Sequence, residues 1–341
     1  MFSQTQYHRP ARLSPPGLVA ARLPGMVTRR PTKVAIVGAG NVGATAAYAL
    51  LLSGLAAEIV LIDANTRRAE GEAMDLAHAV PFSRPTRVSA GDYGDCLGAL
   101  ITIVAAGTAQ RPGETRMDLV RRNAAIFGEV IPRIANANPD GIILVTTNPV
   151  DVLTHETWRI AGLPAERVIG SGTTLDTGRF RAALGDHFGV DPRSVHAFII
   201  GEHGDSEVAV WSTANVAGVP LDDLATARGV AFGPSERKRI FTETRDAAYA
   251  IIERKGATYY AVAAGLVRIV QAILRDQKTV LSVSSLIGDY YGIDDVYLSL
   301  PTVVGRNGVE RTLRLGLSAE EASGLRRSAG LLRQTIDILG L

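Results

Sequence analysis

A strand that stops at glycine and resumes as a helix constrains this chain more than any other feature. Val34-Ala35-Ile36-Val37 is an apolar run ending at Gly38-Ala39-Gly40-Asn41-Val42-Gly43, and Ala44 through Leu52 follows, rich in alanine and leucine. A short apolar run closed by glycine reads as a buried parallel strand. The G-x-G-x-x-G pattern is weak alone, because glycine-rich turns are common. Here it joins a strand to a helix, and a second apolar strand, Ile59-Val60-Leu61-Ile62, ends in Asp63, 20 residues after Gly43. That context is the one a dinucleotide-binding βαβ unit requires. Gly38 permits the tight turn, Gly40 lets backbone approach a pyrophosphate, and Gly43 lets helix and strand pack closely, with the helix N-terminus facing the anion. Asp63 is expected to accept hydrogen bonds from the adenosine ribose and to repel a 2′-phosphate, which favours NAD over NADP. Arg67 and Arg68 lie close enough to soften that preference.

Further strands are expected at Ile101–Ala105 and Ile142–Val145, each followed by polar or glycine-containing loops. Strands alternating with helices predict an α/β fold whose N-terminal part is a Rossmann doubly wound parallel sheet. From about Ser171 the texture changes to an α+β catalytic domain. Strands are expected at Val195–Ile200, Glu207–Trp211, Val280–Leu286 and Val296–Val304, and helices at Phe241–Arg254 and Tyr260–Ile273. Ser318-Ala319-Glu320-Glu321 is a capping box opening a last helix, with Ala322, Leu325, Ala329, Leu332 and Ile336 on one face. The expected organisation is a flexible tail over 1–32, an NAD-binding domain over 33–170 and a catalytic domain over 171–341. No repeat or long linker separates the halves, so they should pack tightly and share a cleft.

The 341 residues carry 36 Lys and Arg against 34 Asp and Glu. Arg9, Arg12 and Arg22 stand in an acid-free stretch over 1–25, and the remainder holds 33 basic and 34 acidic residues. That near-neutral body has no nucleic-acid footprint. The stretch also contains Pro10, Pro15, Pro16 and Pro24, and three readings stay open: disorder, a transit peptide, or translation from Met26. No apolar run reaches the ~18 residues of a membrane span. Cys96, the only cysteine, reads as a small core residue in a cytoplasmic protein and leaves no cysteine-based metal site.

Gly201-Glu202-His203-Gly204-Asp205 lies between two expected strands, with His203 27 residues after Asp176 in Leu175-Asp176-Thr177-Gly178-Arg179. Histidines are ordinarily plain loop residues, the reading given to His78, His155 and His187. His203 differs in its flanking glycines and nearby acids. Its imidazole can give a proton to a ketone oxygen and recover it from an alcohol. Asp176 would fix its tautomer and raise its pKa. Arg179, three residues on, offers a planar fork for a carboxylate. Gln110-Arg111-Pro112-Gly113-Glu114-Thr115-Arg116 follows the strand that runs to Gly107 and reads as a closing loop, whose Arg116 would polarise a substrate carbonyl. Thr146-Thr147-Asn148-Pro149 ends another strand, with Asn148 a donor to the carbonyl oxygen and Pro149 a candidate for fixed peptide geometry.

Taken together, Gly38–Gly43, Asp63, Gln110–Arg116, Thr147–Asp151, Leu175–Arg179, Gly201–Asp205 and Thr258 give the chain, from about Lys33 onward, a pattern that resembles the L-lactate/malate dehydrogenase family. The resemblance implies His203 as proton carrier, Asp176 as its partner, Arg179 as carboxylate anchor, and Arg116 as the arginine of the closing loop. It implies that Gln110, Asn148 and Thr258 line the substrate pocket. It places NAD against Val42, Arg68, Tyr93, Gly107, Thr108, Thr146, Thr147, Asn148 and Ser171 as well as the fingerprint and Asp63. Malate enzymes of this family carry arginine at the position of Gln110. Oxaloacetate beside Gln110 would bury an unpaired negative charge at a cost of several kcal/mol, so pyruvate and lactate are the implied substrates. Arg181 and His196 match the pair by which bacterial members bind fructose 1,6-bisphosphate between subunits, which implies that effector and a homotetramer. Two departures stand out: Gly178 replaces a usual alanine beside the anchor, and Gly98 and Leu100 replace acidic or small residues. The alternatives are malate or another 2-hydroxy acid as substrate, and an NAD-dependent glycoside hydrolase, which would need a metal held by cysteine and histidine.

Overall fold

The computed structural model describes residues 32–108, 113 and 115–340, without the side chain of Arg116. Six parallel strands come first in the chain: β1 (Lys33–Val37), β2 (Glu58–Ile62), β3 (Arg87–Ala90), β4 (Ile101–Val104), β5 (Ile142–Val145) and β6 (Val168–Gly170). Their spatial order is β3-β2-β1-β4-β5-β6, so the winding reverses between β1 and β4. The crevice beyond the carboxyl ends of those two strands is where doubly wound sheets bind ligands.

The connecting helices are α1 (Asn41–Ser53), α2 (Thr66–Ala79), α3 (Arg116–Ala137) and α4 (Val150–Ala161). The strands β1, β2, β4 and β5 are buried along nearly their whole length, which is why they read as continuous apolar runs. Ala46, Ala47, Leu50 and Leu51 of α1 pack on one face of the sheet. Phe127, Val130, Ile131 and Ile134 of α3 cover the other, with Cys96 buried among them.

The second half contributes α5 (Thr174–Phe188), β7 (Val195–Ile200), β8 (Val208–Val216), β9 (Val219–Pro220), α6 (Leu221–Arg228), α7 (Pro234–Lys255), α8 (Tyr260–Leu274), β10 (Thr279–Ile287), β11 (Val296–Gly305), β12 (Gly308–Thr312) and α9 (Ala319–Leu339). β7, β8 and β9 form a separate antiparallel sheet. β10, β11 and β12 instead continue the first sheet beyond β6, which meets β10 antiparallel at Gly170 and Ser284. One nine-stranded sheet therefore runs across the expected boundary at 170/171.

Several expected elements prove longer. Helix α7 starts at Pro234 rather than Phe241, because Pro at a first helical position costs no hydrogen bond. Strand β8 runs on to Val216 beyond Trp211, since only alternate positions bury and the apolar signal thins. The box at α9 closes in both directions: Ser318 N–H donates to Glu321 Oε2 at 2.8 Å and Glu321 N–H to Ser318 Oγ at 3.2 Å. Ala322, Leu325, Ala329, Leu332 and Ile336 are all buried. His78, His155 and His187 lie in helices rather than loops, and His155 is buried. No helix among the described residues is long and apolar enough to cross a membrane.

Candidate active site

The fingerprint turn is shaped by steric demand. Gly38 has φ +105°, and a Cβ there would lie 2.5 Å from the Ala106 amide nitrogen; a Cβ at Gly43 would lie 1.8 Å from the Gly38 carbonyl oxygen. No larger residue fits either position without opening the turn. At Gly40 a Cβ would meet nothing within 4 Å. Gly40 is the N-cap of α1 and supplies no side-chain cap, so the first-turn N–H groups at Asn41, Val42 and Gly43 have no side-chain acceptor from the cap. Open space over uncapped amides is a cradle for a phosphate. Asp63, at the end of β2, accepts from Ala39 N–H at 2.7 Å through Oδ2 and from Asn65 N–H at 2.8 Å through Oδ1. These bonds fix its carboxylate beside the turn, where each oxygen keeps a lone pair for a ribose hydroxyl. The residues present thus fit a dinucleotide. Arg68 is exposed and sits 4.0 Å from Glu72, one helical turn on, and Arg133 stacks over the Tyr93 ring at 4.2 Å.

The loops after β4 and β5 are held together by a residue that the sequence reading does not single out. Asn123, buried on α3, accepts from Thr108 N–H at 2.9 Å and donates to the Asn148 carbonyl at 2.9 Å. Thr147 Oγ1 donates to the Ala106 carbonyl at 2.7 Å. Gly107 must be small, because a Cβ there would lie 2.4 Å from Thr147 Cγ2. The Asn148–Pro149 peptide is cis. Only an alignment of contacts across the sheet reveals Asn123; a lone asparagine within an amphipathic helix carries no local signal.

His203 stands in the loop between β7 and β8, and three neighbours hold that loop. Gly201, at φ +92°, exchanges two backbone hydrogen bonds of 2.9 Å with Ser299 of β11. The Glu202 N–H donates to Ser328 Oγ of α9 at 2.8 Å. The His203 N–H donates to Asp151 Oδ2 of α4 at 2.7 Å. Asp151 belongs to the Thr147–Asp151 motif, yet its grip on the histidine backbone is visible only in three dimensions. Burial pushes its carboxyl up to about 6, and its Oδ1 finds no hydrogen-bond partner.

The imidazole Nδ1 lies 2.5 Å from Asp176 Oδ2, and Arg179 Nη1 donates to Asp176 Oδ1 at 3.0 Å. Asp176 is 3% exposed and sits on the first turn of α5 with Arg179 one turn later. Burial alone would raise its pKa, but the His203 and Arg179 charges outweigh burial and hold it below the usual carboxylate range. Burial likewise opposes the charged imidazole, and Asp176 reverses this, lifting His203 to about 9. Because Nδ1 is taken by Asp176, Nε2 is the nitrogen left for proton exchange.

Arg179, His203, Asn148 and Thr258 line one small cavity of about 120 Å3, together with Thr146 and Ser171. Leu175, Ile252, Val262 and Leu266 form its apolar wall, and the last three lie outside every motif of the sequence. Gly178 causes no crowding, since a Cβ there would have nothing within 4 Å. Gln110 and the Arg116 side chain lie outside the described residues. Arg181 and His196 are elsewhere, on α5 and β7: Arg181 Nε donates to the Ala197 carbonyl at 2.9 Å and its guanidinium lies 5.0 Å from the Phe198 ring centre, while His196 is exposed.

A cradle for a dinucleotide beside a histidine, its carboxylate and an arginine is matched by what the chain is similar to. Residues 32–170 match the family model described as the lactate/malate dehydrogenase NAD binding domain, and residues 173–339 match that of the alpha/beta C-terminal domain. An L-lactate dehydrogenase of Thermoanaerobacter pseudethanolicus is 52% identical over 309 residues, 91% of this chain and 99% of that protein. One of Clostridium botulinum is 48% identical over 309 residues, 91% and 97% of the two chains. Among solved structures, a lactate dehydrogenase from a Medee basin deep-sea metagenome library superposes with a TM-score of 0.88 at 43% identity, covering 92% of this chain and 100% of that one. The minor L-lactate dehydrogenase of Enterococcus mundtii, with ligands bound, gives 0.87 at 41% identity, covering 90% and 98%. Both halves of the fold and the groups between them thus have the same relatives, and the chain belongs to the lactate/malate dehydrogenase family.

Proposed function

We propose that this chain is an NAD-dependent L-lactate dehydrogenase that interconverts pyruvate and (S)-lactate. The observation that carries the reading is the 2.5 Å contact between Asp176 and His203 Nδ1, which leaves Nε2 turned to exchange a proton at the cavity shared with Arg179. NAD, when bound, supplies or accepts the hydride at substrate carbon 2. The fingerprint glycines and the amides of α1 hold its pyrophosphate, Asp63 holds the adenosine ribose, and Arg68, Tyr93, Gly107, Thr108, Thr146, Thr147, Asn148 and Ser171 line the rest of its path.

Arg179 anchors the substrate carboxylate with the donors it does not spend on Asp176. Asn148 and Arg116 donate to the keto oxygen, and Thr258 closes the pocket. Protonated His203 gives its Nε2 proton to that oxygen as the alcohol forms, and Asp176 stabilises the cation before transfer and fixes the tautomer after it. In lactate oxidation the neutral ring takes the proton back. Gln110 leaves a second carboxylate unpaired, which favours pyruvate over oxaloacetate. Arg181 and His196 form the half-site for fructose 1,6-bisphosphate in a homotetramer, and the enzyme works in the cytoplasm. The test is NADH oxidation with pyruvate or oxaloacetate, with and without fructose 1,6-bisphosphate. Higher kcat/KM for pyruvate supports the reading, and preference for oxaloacetate overturns it.

A further inference from the structure

One ionisable side chain in the cluster has no part in the proton transfer. Glu207 follows the histidine loop and is 6% exposed, with Oε1 lacking any hydrogen-bond partner. It lines a cavity of about 260 Å3 that adjoins the smaller one, sharing Asn148, Arg179 and His203 with it and adding Asp176. It equally lines a second, larger cavity of about 680 Å3 on the far side, between Trp211, Phe232 and Phe241. Glu207 thus stands between the cavity onto which Asp176, Arg179 and His203 open and a space wide enough for water, through which a proton can reach its carboxyl.

The charges around it decide what it can do. On the substrate side stand Asp176 and Arg179 of α5, His203 and Asp205 of its own loop, and Arg245 of α7. Arg245 is bound to its neighbour Asp246 at 2.7 Å. On the far side Asp222 pairs with Arg237, and Glu320 and Arg327 come from α9. In the innermost cluster the two acids, Asp176 and Asp151, face the two cations, Arg179 and His203. An incoming substrate carboxylate adds one negative charge to that set. An ionised Glu207 would add a second at a buried position, with no hydrogen bond at Oε1 to stabilise it.

Resting on the 2-keto acid reading above, we propose that Glu207 is a charge-setting residue of the substrate cavity: it enters the wall as a neutral acid, and its ionisation excludes the anionic substrate. Burial, reinforced by Asp176, lifts Glu207 to about 8, below His203 at about 9. Asp151, at about 6, is already ionised above neutrality, so the next proton lost comes mainly from Glu207, and substrate affinity falls before the catalytic imidazole is discharged.

The experiment measures KM and kcat for pyruvate from pH 6 to pH 9.5 at saturating NADH. The proteins are the parent, Glu207→Gln and Glu207→Leu, each first titrated with NADH to establish that it is folded and binds cofactor. At pH 7 the three KM values should agree within about twofold, because Glu207 is uncharged there. At pH 9 the parent KM should have risen roughly tenfold more than that of either variant, while kcat ratios stay level. Superimposable KM profiles overturn the proposal, and so does loss of NADH binding in both variants, which would make Glu207 a folding residue. Failure of every protein, parent included, to reduce pyruvate overturns the functional reading instead.

Discussion

Replacing Asp176 by asparagine keeps the shape of the α5 first turn and removes one charge, so its effect can be worked from the structure. His203 is held at about 9 by that charge, against about 6.5 for a free imidazole. The difference corresponds to ~3.4 kcal/mol, an upper figure because the ring is 24% exposed toward the cavity. Pyruvate reduction needs the protonated ring. In the parent that form dominates through pH 7 and is halved at pH 9. In the variant it falls to about a quarter at pH 7 and roughly one part in 300 at pH 9. The deficit in kcat/KM should therefore widen by about a hundredfold between pH 6 and pH 9, on top of a constant loss from poorer ring orientation. The assay is kcat/KM for pyruvate at each pH, with NADH saturating. A deficit that stays constant across this range would refute the argument, because it would show that Asp176 positions the ring without charging it. The same shift has a stability sign. His203 has a folded pKa above its unfolded one, so its contribution is complete below about 6.5 and is lost as pH rises through about 9. The parent's melting temperature should decline across that window more steeply than the variant's.

Gln110→Arg should raise kcat/KM for oxaloacetate relative to pyruvate, since a cation meets the second carboxylate; an unchanged ratio in paired kinetics places residue 110 away from substrate. Asp151→Ala leaves the His203 N–H without its acceptor and should cost about 1–3 kcal/mol by denaturant titration, with a lower kcat/KM. Stability within error of the parent would show that the loop is held by Ser299 and Ser328 alone. Fructose 1,6-bisphosphate should lower the parent's KM for pyruvate by roughly 5- to 150-fold and leave an Arg181→Gln, His196→Gln double variant unaffected. Identical parent curves with and without it would remove the regulatory role of that pair.

What the sequence reveals follows from how local each cause is. The fingerprint, Asp63 and the buried strands are legible because their chemistry lies within 30 residues: a turn that only glycine can make, and a carboxylate one strand later. His203, Asp176 and Arg179 are legible as residue types at telling spacings; the 3.0 Å Arg179–Asp176 contact is local to one turn of α5, whereas the 2.5 Å His203–Asp176 contact depends on β7 lying beside α5. Asn123, Asp151, Ser328 and Glu207 are not legible in this way. Asn123, Asp151 and Ser328 act through hydrogen bonds on loops brought to them by the fold, Glu207 through burial that its place in the sequence does not show, and polar residues inside amphipathic segments look alike before folding. The antiparallel strands appear as apolar runs, but nothing local shows that β10 joins β6.

That junction has a consequence for how the molecule comes apart. Gly172, at φ +54°, lies so close to β10 and β11 that a Cβ would meet the Ser284 amide nitrogen and Ser299 Oγ at 2.5 Å. The nucleotide half therefore has no free margin on this side, because the substrate half supplies the strand that satisfies β6. Expressed alone, residues 32–170 would present β6 as a bare edge, a template for sticking to other chains. Heat or denaturant should accordingly melt the two halves in one cooperative transition. In a gene fusion or a split reporter the cut belongs at an outer rim, not at the point where one family description ends and the next begins.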